Sequence, residues 1–421
     1  MGIKLGLVGL GRFGSAFTKL FKAHPLVDRI ALCDCESDKV KQFLNDPFMA
    51  DKVSEHDCYT SLDEICRADL DALVIITQPW LHAPQCIQAL ESGKHVYSAV
   101  PVISLPDDEE ILDWSGKLVE AVKRSGREYM LGETTIFRPQ TMFCRRMAEA
   151  GKFGDFVYAE GEYIHDVDGG INGISNLREV LRTRTTGVVG SQYQALVDRY
   201  AARGAKDSPM SYPTHSISGP LHVMKARALK VSAYGTPNTN SDPFFAKNDF
   251  SNVTALYQLD NGVSLRICEF REIGSTDIDR CESETFRIFG KQGSFSRNVW
   301  VENGRTAPGT AKPIMATAPE PSEPGSKFIE MTSGEMRDPL PREVQEAFKY
   351  AMNPNADPNS DFQPSGHGGS HPYLVHEFVS AVAENRKPLV TVEDAAHYMA
   401  MGVAAHRSAQ RDGEIVKVPV F

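Results

Sequence analysis

Three glycines and an aspartate carry the sharpest chemical signal in this chain. Gly9-Leu10-Gly11-Arg12-Phe13-Gly14 follows the apolar run 3–8 and leads into a helical pattern, and Asp34 ends the next apolar run. The glycines serve three different ends. Gly9 permits a tight turn, Gly11 lets the backbone approach a pyrophosphate, and Gly14 allows close helix–strand packing. The pyrophosphate then rests on a helix N-terminus, where free N–H groups and the helix dipole favour negative charge. Asp34 can accept hydrogen bonds from ribose hydroxyls and would repel a 2′-phosphate. The pattern points to NAD, ahead of NADP, and so to hydride transfer. A secondary alcohol that loses hydride also loses its hydroxyl proton, so a group titrating near neutrality is needed beside it.

These residues need a strand–loop–helix scaffold, and the first third of the chain supplies one. Short apolar strands at 4–8, 30–33, 72–76, 95–97 and 129–131 alternate with amphipathic helices at 14–22, 83–91 and 109–123. Such alternation predicts a parallel, doubly wound Rossmann sheet. Past Arg138 the grammar changes. A helix over 139–149 leads to 155–163, where apolar and polar residues alternate at period two, and further strands are expected at 253–259, 264–270 and 286–289. Asn261-Gly262 is a hairpin signal between two of them. Residues 303–341, rich in Pro, Ser, Thr and Gly, read as a long surface excursion, and helices at 373–384 and 392–411 close the chain. The expected architecture is α/β: a Rossmann domain over 1–135, then an α+β domain over 136–421 with an open, mostly antiparallel sheet. The closing helices are free to pack back on the first domain.

A length of 421 residues suits two domains, each with a sizeable core. The net charge of −10, with no Lys/Arg block, argues against a nucleic-acid partner and for a small molecule. Eight cysteines without a C-x-x-C pair read as buried thiols in a reducing compartment. The start Met1-Gly2-Ile3-Lys4 runs into a strand with no signal-peptide pattern, and no apolar run approaches the roughly 20 residues of a membrane span. A cytoplasmic protein without a membrane partner is expected.

With these residues placed, the chain resembles the glucose–fructose oxidoreductase / inositol dehydrogenase / MocA family along nearly its whole length. The landmarks are the glycine loop, Asp34, Thr77-Gln78-Pro79-Trp80-Leu81-His82, and Gly93-Lys94-His95-Val96 leading to Val100-Pro101. The resemblance implies a Rossmann domain followed by a domain whose open sheet carries the substrate and often a homo-oligomer contact, as in a dimer or tetramer. It places Thr77, Pro79 and His82, with Val100 and Pro101, near the nicotinamide end of the cofactor, and Arg12 and Phe13 in its phosphate loop. Family dehydrogenases usually have E-K-P where this chain has Ala99-Val100-Pro101, so the catalytic lysine is missing. They also commonly carry an aspartate four residues before a catalytic histidine, where Ser211 stands here before His215.

One branch is similar in the same departures: the NAD-dependent α-N-acetylgalactosaminidases and related glycosidases. Glu160-Gly161-Glu162-Tyr163-Ile164-His165, Tyr212-Pro213-Thr214-His215 and His367-Gly368-Gly369 match its patterns. The resemblance makes Tyr163, Tyr212 and His215 catalytic candidates lining the reacting sugar, with Glu133, His165 and His367 as substrate contacts. In the route it implies, oxidation at C3 of the sugar acidifies the C2–H. A base, His215 or Tyr163, removes that proton, the C1 aglycone leaves, water adds, and the hydride returns to regenerate NAD. Two carboxylates flanking the bond are not required, as they are in ordinary glycosidases. A simple NAD-dependent sugar or polyol dehydrogenase is the alternative, and a non-catalytic NAD-binding protein the second. His215 competes with a reading as a satisfied core histidine, His222 reads as structural, and Arg178, Arg182 and Arg184 read as a solvated helix face. His367 and His371 lack a carboxylate or cysteine at ligand spacing, so no metal is expected.

Overall fold

The computed structural model describes residues 2–167, 187–238, 242, 244–273, 284–302 and 326–421. Within them, β1 (Ile3–Val8), β2 (Val27–Cys33), β3 (Cys58–Tyr59), β4 (Ala72–Ile75), β5 (His95–Ser98) and β6 (Tyr129–Leu131) form a parallel sheet in the order β3-β2-β1-β4-β5-β6. β4, β5 and β6 are buried at every position, as strands covered by helices on both faces must be. The strand order reverses between β1 and β4, and the glycine loop leaves β1 at that switch point, where the carboxyl ends of such a sheet open a crevice.

The second sheet is built from β7 (Phe156–Ile164), β8 (Ala228–Pro237), β9 (Phe250–Leu259), β10 (Ser264–Phe270), β11 (Glu284–Gly290), β12 (Gly293–Ser296), β13 (Val299–Glu302), β14 (Lys327–Glu330) and β15 (Val416–Lys417). Its order is β14-β13-β12-β11-β7-β10-β9-β8-β15, antiparallel except where β7 and β10 run parallel. The helix Thr214–Met224 lies on β7 and β11. Gly161 makes that approach possible, because a Cβ there would collide with the carbonyl oxygen of Ser216. The helix Val392–Gln410 packs on both β8 and the helix Asp108–Ser125, and the helices Arg342–Met352 and His371–Ala383 pack on the helix Arg12–Ala23.

The surface-excursion reading of 303–341 needs correction over its last part. Lys327–Glu330 pairs with β13 as an edge strand, and Thr332 and Glu335 form a capping box on the helix Ser333–Met336, whose Met336 is buried. Residues 303–325 lie outside the described residues, as do Arg178, Arg182, Arg184 and Cys281. No helix among the described residues is long and apolar enough to cross a membrane.

Candidate functional site

At the glycine loop, Gly9 adopts φ +92°, and a Cβ there would collide with the Ile76 carbonyl; a Cβ on Gly14 would collide with the carbonyl of Gly9. A Cβ on Gly11 would meet nothing within 4 Å, so the loop presents an open backbone cradle at the start of the helix Arg12–Ala23. The buried Asp34 clamps the loop: one carboxylate oxygen accepts from the Leu10 N–H at 2.8 Å and the other from the Glu36 N–H at 2.9 Å. Each oxygen keeps a further acceptor site, so the cradle and the carboxylate together fit a pyrophosphate and a ribose. Asp34, Cys35 and Glu36 also lie close enough together to suggest a cation, but Asp34 is engaged in the clamp and Glu36 is paired with Lys39 at 2.8 Å.

His82 ties the next two loops together, its ring within reach of the carbonyls of Pro101 (2.8 Å) and Thr77 (3.3 Å). The Thr77 hydroxyl donates to Gln85, and Pro79 starts the short turn Pro79–Leu81. Val100 is buried, and its carbonyl accepts the Tyr212 hydroxyl at 3.3 Å.

The structure gathers Tyr163, His165, Tyr212, His215 and Glu133 into one cluster. The rings of Tyr163 and Tyr212 lie 5.0 and 5.5 Å from that of His215. His215, in the first turn of the helix Thr214–Met224, has Nδ1 2.8 Å from Glu133 and 3.9 Å from Glu284. Thr135 fixes both carboxylates, its N–H donating to Glu133 (2.9 Å) and its hydroxyl to Glu284 (3.2 Å), while Arg138 pairs with Glu284 at 2.6 Å. Burial works against a charge on His215, but Glu133 and Glu284 outweigh it and lift the imidazole to about 9. Burial likewise opposes the charge on Glu284, and Arg138 and then His215 hold it down to about 2. Arg138, Glu284, His215 and Glu133 therefore form a row of alternating charge around a histidine that is an imidazolium at neutral pH.

The other side of the cluster is neutral. The Tyr163 hydroxyl lies 2.6 Å from His165 Nδ1. Burial, reinforced by Arg271, pushes His165 down to about 4, and burial raises the Tyr163 phenol. The neutral imidazole is thus the acceptor and the phenol the donor. His367 packs its ring edge-on to Phe13 at 5.6 Å, lies 3.0 Å from His371, and feels the charges of Glu284 and His215. It links the glycine loop to the histidine cluster. His222 has an Nε2 without a hydrogen-bond partner among the described residues.

Sequence reasoning missed Arg138, Glu284, Glu269 and Arg271. The last three had a signal. Glu284 shares the strand parity of the inward-facing Phe286 and Ile288, and Glu269 and Arg271 share that of Leu265 and Ile267. Charge at an inward position of a half-buried strand is costly to bury and calls for a reason.

Residues 3–132 match the family model GFO_IDH_MocA, described as the oxidoreductase family with an NAD-binding Rossmann fold. A glycosyl hydrolase family 109 protein of Streptomyces niveus is 34% identical over 177 residues, 40% of this chain and 33% of that protein. One of Porphyromonas gingivalis is 30% identical over 172 residues, 39% of this chain and 35% of that protein. The matched region thus spans about a third of the length of these curated relatives. Among solved structures, levoglucosan dehydrogenase in complex with NADH and levoglucosan superposes with a TM-score of 0.67 at 18% identity, covering 100% of both chains. The aldose-aldose oxidoreductase of Caulobacter crescentus gives 0.64 at 17% identity, over 99% of this chain and 100% of that one. At such identities the likeness establishes the fold.

Proposed function

We propose, for a chain that belongs through its NAD-binding Rossmann domain to the Gfo/Idh/MocA oxidoreductase family, that it acts on a carbohydrate. It oxidises a ring hydroxyl and uses that oxidation to cleave a glycosidic bond, with the cofactor recycled. The observation that carries this reading is that one cluster holds His215 between Glu133 and Glu284 beside a hydrogen-bonded Tyr163–His165 couple.

The backbone cradle at Gly9, Gly11 and Gly14 would hold the pyrophosphate and Asp34 the adenine ribose, with Thr77, Pro79, His82, Val100 and Pro101 toward the nicotinamide. NAD bound there supplies the hydride acceptor and the returning donor. Tyr212 donates its hydroxyl proton to the Val100 carbonyl, which turns the oxygen's lone pairs toward a substrate hydroxyl. Of the two bases the sequence allowed, the cluster favours Tyr163: its oxygen takes a substrate proton as its own passes to His165 Nδ1, a transfer that requires His165 to rise from about 4 when substrate binds. His215 has Nδ1 turned to the carboxylates, so Nε2, at the other edge of the ring, carries the proton available to a departing oxygen. A positioned base and a positioned acid each contribute about 10²–10⁴-fold. The family 109 names of the curated relatives support the cleavage step.

A net sugar dehydrogenase is the second reading, favoured by the full-length superposition on a levoglucosan dehydrogenase. Mass spectrometry and absorbance of the purified protein, followed by p-nitrophenyl glycosides without added cofactor, separate the two. Retained NAD with steady release of p-nitrophenol is expected. An empty protein that turns over only with added NAD and accumulates NADH stoichiometrically overturns the cleavage reading.

A further inference from the structure

Across the second sheet, Tyr163 on β7 is the direct register partner of Glu284 on β11 and of Glu269 on β10. Glu284 has its partners in Arg138, Thr135 and His215, but Glu269 belongs to a different set. It is fully buried; one oxygen accepts from the Ser216 hydroxyl and the other from Arg271 Nη2 at 2.7 Å. Arg271 is itself buried, and its guanidinium lies 4.5 Å over the Tyr163 ring. Its Nη1 donates to the carbonyls of Phe270 (3.0 Å) and Tyr163 (3.3 Å). Ser216 follows His215 on its helix. A continuous chain of contacts therefore runs from the face of Tyr163, through Arg271 and Glu269, to the turn that carries His215.

A buried ion pair is expensive to desolvate, so stability alone does not explain its presence. Its place in the cluster does. The phenol contacts neutral His165, Tyr212, the ring of His215 and the Arg271 guanidinium, and it feels the charges of Glu284, Glu269 and Arg138. A cation over the ring stabilises the deprotonated form of the phenol, and a neighbouring carboxylate opposes it. Resting on the proposed role of Tyr163 as a proton carrier, we propose that Arg271 is a positioning residue that sets how readily Tyr163 gives up its proton, with Glu269 as the opposing charge that moderates it.

Burial lifts Glu269 to about 7 against the pull of Arg271, so above neutrality it is ionised and the opposition is switched on. Burial drives the Tyr163 phenol up, and Arg271 is the largest influence in the other direction.

The test replaces Tyr163 with a trifluorotyrosine, whose phenol is more acidic than that of tyrosine, and follows phenolate absorbance in substrate-free protein. Arg271→Met should raise the midpoint and Glu269→Gln should lower it, each by about one pH unit. In Glu269→Gln the new amide keeps both contacts, because Ser216 can turn its hydroxyl to accept. Arg271→Met/Glu269→Gln, which leaves no lone buried charge, should fall between the single variants and serves if Arg271→Met does not fold. In unlabelled protein the same pair should move the pH profile of kcat in opposite directions with KM unchanged. Opposite shifts in the titration support the inference even where no glycoside is turned over, in which case only the proposed function has failed. Coincident midpoints, or shifts of one sign, overturn it.

Discussion

The alternating charges around His215 make a quantitative claim. Glu284 lies 3.9 Å from Nδ1, and both side chains are less than a tenth exposed, so solvent screens the pair weakly. At an effective dielectric constant of about 20, a unit-charge pair at that distance is worth about 4 kcal/mol, or about 3 pH units of preference for the imidazolium. Glu284→Gln removes that attraction. It also strips Arg138 of its 2.6 Å partner and leaves the guanidinium facing the imidazole, which pushes in the same direction. Glu133, still 2.8 Å away, prevents collapse to the value of an unpaired buried histidine. His215 should therefore fall from about 9 by roughly two units or more.

A reaction that uses the protonated imidazole loses rate as pH rises through the histidine's titration. The alkaline limb of the kcat profile should stand near pH 9 in the wild type and move to about 7 or below in Glu284→Gln. ¹⁵N-detected imidazole resonances, assigned by Asn substitution of His215, give the same number without turnover. An imidazole that titrates unchanged in Glu284→Gln would refute the electrostatic reasoning. An imidazole that shifts while the rate limb stays in place would spare the electrostatics and remove His215 as the acid.

The glycine loop separates fold from cofactor. Gly11→Ala meets open space and should leave apo stability within about 0.5 kcal/mol, yet weaken NAD roughly tenfold or more by denying the pyrophosphate a charge-assisted backbone contact. Gly14→Ala, forced against the Gly9 carbonyl, should cost about 1–3 kcal/mol of stability as well; thermal melts with and without NAD distinguish the two. His215 also couples stability to pH. Its folded value is raised from 6.5 to about 9, so its contribution is fully present below pH 6.5 and is lost as pH rises through 9. Melting temperatures measured from pH 6.5 to 9.5 should decline in the wild type and flatten in His215→Gln.

What could be read in the chain depended on whether each element left a one-dimensional trace. Strands β1, β2, β4, β5 and β6 did, because burial on both faces keeps them largely apolar, whereas the two half-buried residues of β3 left none; the helix Pro139–Glu149 and the strand Ser264–Phe270 were legible to the residue. β8 left little trace: it exposes Leu229 and Tyr234 and buries Ala228, Val231 and Ala233, so no clean alternation marks its inner face. At the site, Tyr163, Tyr212 and His215 stood out by type and motif. Glu269 lay inside the expected strand, but nothing in one strand marks which of its faces is covered; Arg271 fell one residue beyond that strand's end, and Glu284 was missed because the strand was started at Phe286. Their meaning is a matter of register, since only pairing across β11, β7 and β10 puts two carboxylates beside one tyrosine.

The two departures from the dehydrogenase pattern gain sense from the charges that stand in the cluster. Val100 offers no side-chain proton acceptor, and its backbone carbonyl accepts the Tyr212 hydroxyl. Ser211 is buried in the short turn Pro209–Ser211 and brings no carboxylate four residues before His215; instead Glu133 and Glu284 arrive from the end of β6 and from β11. A lone carboxylate behind a histidine can orient a base. Two carboxylates balanced by one arginine favour the charged histidine, which suits the acid role proposed for it and not a base near neutrality. Net oxidation of an alcohol releases one hydroxyl proton and needs one acceptor, a demand that the proposed Tyr163–His165 couple would meet without His215. A committed proton donor is superfluous to that reaction and useful where a second bond, to a departing oxygen, must break. The charge arrangement, more than the loss of the lysine, is therefore the reason to favour cleavage over simple dehydrogenation.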